Sequence, residues 1–386
     1  MTARPAILHV LSDWKWTGPA EPIVNLCRAL IHRGFPVHFA CAPAPHGQDA
    51  VLARKAAERL VEPILDCSFD KRVNLLANRR DIRVLAERMD RDEIAIVHAH
   101  ASHDHYIASR AARRARCRPV VVRTNHTGSP YPSTFVSRWI IRGHTHAWAA
   151  YSASCLEADC RAYGIPLERG VVIEGAVDLD RFHPGVDGAP MRAKFGFEPG
   201  HVVIGAASRI QRQRRYDLIL DAFRLAAAAE PAIRGLILGR GTRQAELVDD
   251  PIRQPSLAGR VVHPGFIEEG YEQALAAMDV FVCLAPGSDG SCRAVREAMA
   301  LGRPVIVSRR GVLPWLASGG RCGLEVDETP SAIAEAMLRL AREPELRASM
   351  GRAAADRARR DFTLDRQASL ISALYMRLVQ DPALRR

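Results

Sequence analysis

No apolar stretch in this 386-residue sequence approaches the roughly 20 consecutive apolar residues that a bilayer-spanning helix needs. A transmembrane helix is therefore not expected. The N-terminus, MTARPAILHVLSDWKW, enters a strand pattern at once and lacks the apolar core and cleavage site of a signal peptide, so the expected location is cytoplasmic. CxxC pairs are absent too. The nine cysteines are odd in number, scattered and mostly set in apolar patterns (Cys27, Cys41, Cys117, Cys283), which argues against a disulfide framework and for reduced, structural thiols. No internal repeat or low-complexity segment is present. Acidic residues are the minority charge, 43 against 54 basic, giving a net charge of +11, and the excess is mostly arginine, as in 110–118 and 352–360. Such a balance suits an anionic partner: a nucleotide, an acidic lipid surface or nucleic acid. No recognised nucleic-acid-binding motif accompanies the arginines, so nucleic acid is not expected.

What is present is a long alternation of two periods. The length is about twice that of a usual domain, and a composition of 48% hydrophobic and 25% charged residues is ordinary for a globular chain. Short apolar runs at 6–11, 37–42, 94–100, 120–124, 147–152 and 171–177 read as strands, with helix-period segments such as 21–34 between them. A second series follows at 202–207, 234–239, 260–265, 279–285, 304–308 and 323–326. Alternation of this kind predicts parallel, doubly wound sheets. The Pro- and Gly-rich stretch 179–200 reads as the linker and lead-in to a second domain, with domains at 1–185 and 186–364, and the last 55 or so residues read as helical.

The stretch from 279 to 308, DVFVCLAPGSDGSCRAVREAMALGRPVIVS, is the most informative. Its apolar start is a buried parallel strand; from Arg293 the apolar residues fall at helical spacing, Ser291 reads as the N-cap and Gly302 as the terminating C′ glycine. A strand–loop–helix unit of this type places its loop at the sheet edge where ligands bind. The helix start attracts an anion such as a diphosphate, and Glu297, about 9 Å along the helix, can face the same pocket as an acceptor for ribose hydroxyls. A solvated Glu on an ordinary amphipathic helix is the alternative. IGAASRIQRQRRYDLILDAF (204–223) brings Ser208, Arg209, Arg212, Arg214 and Arg215 to the same edge, where guanidinium groups clamp phosphate oxygens; otherwise this is a solvated basic loop. LGRGTRQAEL (238–247) adds a Gly-rich turn.

The order of SRIQRQRRYDLILDAF, LILGRGTRQAEL, VVHPGF and DVFVCLAPGSDGSCRAVREAMALGRPVI resembles the C-terminal half of the retaining GT-B glycosyltransferases of the family-4 type (glycosyl transferases group 1). TGPAEPIVNLCRAL, IVHAH and VVIEGAVDLDRFHP resemble their N-terminal half. The resemblance implies an α/β GT-B fold, two doubly wound Rossmann-like domains facing across a cleft, with the final helix (365–386) returning to the acceptor-binding first domain. It implies transfer of a sugar from a nucleoside diphosphate sugar to a hydroxyl acceptor with retention, with no metal and no separate cofactor. By the same resemblance Asp289, with Gly290 and Ser291, holds the donor sugar, Glu297 the ribose, and Arg209 and Arg214 the diphosphate. Gly18, Ser208, Gly239, Gly241, Cys292 and Val295 complete the donor site, and His126 approaches the donor sugar; a buried, hydrogen-bonded His126 is the competing account.

Several positions depart from the family pattern. Asp289 replaces a usual Glu, Ser291-Cys292 a usual Phe-Gly, Arg215 a usual Gly, and Arg240 a usual acidic residue, so donor identity stays open. A non-catalytic nucleotide-sugar-binding subunit of the same fold is the alternative function. In the first domain Trp14, Lys15 and Trp16 are placed on the acceptor side, where aromatic rings stack on sugars or enter a lipid interface, or else staple the next helix. HAHASHDH (98–105) tempts a metal reading, but no matching distant ligand signature accompanies it. The expected partners are a nucleotide-sugar donor and a lipid-linked or saccharide acceptor of the cell envelope, with peripheral association at an anionic inner membrane face compatible with the charge.

Overall fold

The computed structural model describes residues 4–70, 74–127, 130–286 and 292–384, and among these thirteen short strands alternate with helices. The chain divides into two compact units, Met1–Glu174 with Leu364–Arg386, and Gly175–Thr363. In the first unit the strands are β1 (Ala6–Leu11), β2 (Val37–Cys41), β3 (Pro63–Ile64), β4 (Ile94–Ala99), β5 (Val120–Asn125), β6 (Ala147–Ala150) and β7 (Gly170–Val172). They form one sheet in the order β3-β2-β1-β4-β5-β6-β7, all neighbours parallel. Most of these strands are apolar on both faces because helices cover both sides, which is what parallel pairing through helical crossovers requires. β3, only two residues long, has no periodic signal and is not among the expected strands.

The second unit repeats the plan with β8 (Val202–Ala207), β9 (Ile233–Leu238), β10 (Val261–Gly265), β11 (Val280–Cys283), β12 (Val305–Ser308) and β13 (Gly323–Val326). Its order is β10-β9-β8-β11-β12-β13, again parallel throughout. In both sheets the strand order reverses beside the first strand, between β1 and β4 and between β8 and β11. A crevice opens at such a reversal outside the carboxyl ends of the strands.

The boundary between units falls earlier than the sequence suggests. Residues 179–200 are not a linker: Phe182 and Phe197 are buried in the second unit's core with Val203, Leu236 and Met278, and Val177 bridges to Thr363. A Pro- and Gly-rich composition describes backbone geometry and says little about burial, so two anchoring phenylalanines in an aperiodic segment escape notice. The closing helix, Leu364–Gln380, lays Ile371, Leu374, Tyr375 and Leu378 against Leu26 and Leu30 of the first unit. All nine cysteines are free. Burial pushes the thiols of Cys41 and Cys67 up to about 12, which fits inert core thiols, whereas Cys117 is exposed rather than set in the core. Among the described residues no helix is long and apolar enough to cross a membrane.

Candidate functional site

The register of the second sheet decides where its loops emerge. β8 and β9 pair from Val202↔Ile233 to Ala207↔Leu238, so Ser208 and Gly239 leave the sheet side by side. Their loops then stay in contact: the Ser208 N–H donates to the Leu238 carbonyl and the Ile210 N–H to the Arg240 carbonyl, both at 3.1 Å. A Cβ on Gly239 would lie 2.0 Å from the Ser208 oxygen, and one on Gly241 2.0 Å from the Ile210 oxygen. Only glycine allows two backbones this close. These glycines therefore join the basic loop to its neighbour.

The arginines of that loop have different duties. Arg214 is half-buried, donates from Nη1 to the Ala285 carbonyl at 3.1 Å beyond the end of β11, and keeps a buried Nε without a hydrogen-bond partner. Arg209 is exposed and makes no ion pair among the described residues. Arg212 is held by Glu246 at 2.8 Å. Arg215 pairs with Glu328 at 3.0 Å and Asp217 at 3.3 Å from a left-handed backbone position, φ 59°. The two arginines left for an anion are those that the sequence singles out.

Past β11 the helix Arg293–Ala300 begins at Cys292, which occupies the N-cap with φ 50°; the expected cap, Ser291, lies with Asp289 and Gly290 outside the described residues. Gly302, φ 75°, follows the helix as expected. Val295 is buried in the core with Ala298 and Met299, a packing position. Glu297 is only 4% exposed. It accepts from the Tyr271 hydroxyl at 3.2 Å and lies 3.5 Å from Arg293 Nε, so it is a placed carboxylate and not a solvated one. Tyr271 was missed in the sequence because the contact joins residues 26 apart in chain and nothing local marks it.

At the corresponding edge of the first sheet lies a chain of buried imidazoles. His9 Nδ1 is 2.9 Å from His100 Nε2, His100 Nδ1 is 2.9 Å from His126 Nε2, and His126 Nδ1 is 2.9 Å from the Tyr151 hydroxyl. His98 bridges the hydroxyls of Tyr375 and Thr124 at 2.5 and 2.6 Å. A neutral imidazole donates once and accepts once, so the row must run in a single direction. Burial lowers His9 and His126 to about 3 and His98 and His100 well below the usual value; for all but His9 the nearby Arg123 guanidinium adds to the shift. His126 is thus a neutral, hydrogen-bonded side chain.

Among the described residues His9, His98 and His100 could together hold a metal ion. Both nitrogens of His98 and the facing nitrogens of His9 and His100 are already engaged, and the buried Arg123 charge opposes a second cation. Elsewhere in HAHASHDH the residues brace the fold. Asp104 accepts from the Ser12 N–H at 3.1 Å and the Ala101 N–H at 2.7 Å and faces Arg123 at 3.8 Å; burial holds its carboxyl up at about 6. His105 bonds to Thr145 at 2.7 Å.

The tryptophans after β1 are half-buried and pack against the first unit's core. Asp13 accepts from the N–H groups of Trp14 and Lys15 and fixes the turn. Trp14 packs on the core beside Val10 and Ala42, Trp16 on that beside Ile23 and Leu52, with Arg59 4.8 Å above its ring. Lys15 is exposed and sits 4.8 Å over Trp14, and Gly18 lies in the half-buried turn before the helix Ala20–His32.

Both halves of the chain match known families. The Glycosyltransferase Family 4 model covers residues 17–181 and the Glycosyl transferases group 1 model residues 201–343. The chain belongs to the group 1, family-4 glycosyltransferases. A D-inositol 3-phosphate glycosyltransferase of Streptomyces avermitilis is 30% identical over 58% of the chain and 50% of its own length. The lipopolysaccharide core biosynthesis mannosyltransferase LpsB of Rhizobium meliloti is 26% identical over 62% of the chain and 70% of its length. The chain thus spans about half the length of most of the curated relatives it matches. In fold it is similar to a glycosyltransferase of Rickettsia africae (TM-score 0.84, 16% identity, 98% and 99% of the two chains). It is also similar to Anabaena HepE solved with UDP and glucose (TM-score 0.80, 18% identity, 97% and 100%). The fold of this family-4 member is GT-B, and its basic loop and Glu297-bearing helix occupy the second unit's switch point.

Proposed function

We propose that the protein is a retaining glycosyltransferase that moves a sugar from a nucleoside diphosphate sugar to a hydroxyl of a cell-envelope glycolipid or polysaccharide precursor. The observation that carries this reading is Arg214 at the Ala285 carbonyl: it draws the arginine loop of β8 to the end of β11, across the point where the strand order reverses. Two guanidinium groups there, Arg209 and Arg214, neutralise a diphosphate, and Glu297 receives ribose hydroxyls. In the reaction the anomeric C–O bond to the diphosphate breaks, the acceptor oxygen bonds to the same face of the sugar, and its proton passes to a phosphate oxygen. The arginines stabilise the charge that develops on the leaving group. Asp289, Gly290 and Ser291 complete the proposal on the sugar side. UDP in the HepE structure and the lipopolysaccharide task named for LpsB support the donor and acceptor classes. Nine free cysteines suit a cytoplasmic setting.

The test is an NMR spectrum of the product from an α-configured UDP- or GDP-sugar. The expected product is α; a β product overturns the retaining reading, and saturable donor binding with neither transfer nor hydrolysis makes the chain a binding subunit. The arginines supply the charge that a cation would bring, so turnover is expected to persist in EDTA. Complete loss with rescue by Mg²⁺ would contradict the metal-free reading.

A further inference from the structure

The helix Phe135–His144 turns an unusual face to solvent. Thr134 caps the helix by accepting from the Ser137 N–H, and in the turns that follow Phe135 is 87% exposed and Trp139 50%. Residues 135, 138, 139 and 142 fall at i, i+3, i+4 and i+7 and share one side; all four, Phe135, Arg138, Trp139 and Arg142, are exposed, while Ile141 is buried. The neighbouring helix Ser102–Arg114 adds Arg110, whose guanidinium stacks 5.0 Å from the Trp139 ring, and Arg113 and Arg114 in its last turn. Neither helix carries an exposed carboxylate: the single acidic residue of the pair, Asp104, is fully buried. None of these five arginines makes an ion pair among the described residues.

Two aromatic rings set among arginines, with no exposed carboxylate on either helix, match an anionic bilayer surface, where rings enter the headgroup layer and guanidinium groups meet lipid phosphates. We infer that this face docks the protein on anionic lipid. Trp14 and Trp16, the aromatics that the sequence offers for a membrane, are half-buried against the core; the more exposed Phe135 and Trp139 take that part. The inference uses only this surface and does not depend on the sugar-transfer reading.

The full chain is sedimented with sucrose-loaded vesicles of phosphatidylcholine alone or with one-third phosphatidylglycerol, without donor or acceptor, so that this result and that of the transfer assay are independent. Binding is expected on the anionic vesicles only. Phe135→Ser with Trp139→Ser should weaken it by roughly ten-fold or more, and Arg138→Gln with Arg142→Gln similarly, since each basic residue near such a surface contributes about five-fold. Thermal midpoints within a few degrees of wild type show that the variants fold. Trp139→Phe, which keeps an aromatic ring, should bind nearly as wild type. Equal sedimentation with both vesicle types, or undiminished binding by both double variants, overturns the inference. So does a wild-type dimer that the Phe135→Ser, Trp139→Ser variant splits, which would assign the face to a second copy of the chain.

Discussion

Arg209→Ala and Arg214→Ala are each expected to weaken the binding of UDP or GDP, whichever the protein takes, by roughly 10- to 150-fold. A charge-assisted hydrogen bond in a partly dry site contributes about 1.5–3 kcal/mol, and 1.4 kcal/mol is ten-fold in affinity. The other two arginines of the loop are internal controls because their charge is already spent, Arg212 on Glu246 and Arg215 on Glu328 and Asp217. Arg212→Ala should leave binding nearly unchanged, and Arg215→Ala should act on stability more than on affinity. By the sequence resemblance Arg214 stands where the family has Lys, so lysine should be tolerated better at 214 than at 209. Calorimetric titration of the nucleotide into the four alanine variants distinguishes site from surface. Equal, small losses at all four would reduce the loop to a solvated basic patch.

Acidification from pH 7 to pH 5 should cost the folded protein several kcal/mol. Five imidazoles, His9, His98, His100, His105 and His126, are held below their ordinary value chiefly by burial. The unfolded chain takes up protons on them as the pH falls through about 6.5, and the folded chain does not until far lower. In this window the unfolded state binds more protons, so stability rises with pH and is lost on acidification. Each imidazole contributes about 2 kcal/mol to the loss between pH 7 and 5. Asp104 acts in the opposite sense: its carboxyl, raised to about 6 by burial, returns roughly 1 kcal/mol over the same interval. The balance is comparable with the whole stability of a domain, about 5–15 kcal/mol. A protonated imidazole also has two donors, which breaks the one-way row from His9 to Tyr151. Urea midpoints followed by tryptophan fluorescence report on the first unit, which holds four of the five tryptophans, Trp14, Trp16, Trp139 and Trp148. Midpoints that do not move between pH 7 and 5 would refute the account.

The sheet architecture was largely legible before any coordinates, because strands buried on both faces leave unbroken apolar runs and the helices between them keep a 3.6-residue period. Twelve strands stand where their runs lie, within a few residues; β3, at Pro63–Ile64, has too few residues to show a pattern. The position of the candidate donor-side residues was legible for a related reason. Ser208, Gly239 and Cys292 directly follow strands or precede a helix, so their place at the sheet edge is a local property of the chain. What each does there is not local. Gly239 and Gly241 are glycines because the next loop passes within 2.0 Å of where a Cβ would stand, and the Val295 side chain is buried in the core.

Composition and period alone determined that this is a two-unit, doubly wound α/β protein of basic charge, and the order of its motifs determined its family. Tertiary structure decided which of its many charged and aromatic residues are available. It committed Arg215 to Glu328, left Arg209 free of ion pairs among the described residues, and set Arg214 against the Ala285 carbonyl. It packed Trp14 and Trp16 into the first unit while exposing Phe135 and Trp139. Four histidines, His9 and His98 on strands and His100 and His126 just past strand ends, became one buried neutral cluster. The physical reason is the same throughout. Period follows from the backbone geometry of neighbouring residues, whereas the partner of a charge or ring is set by elements that meet only when the sheet forms.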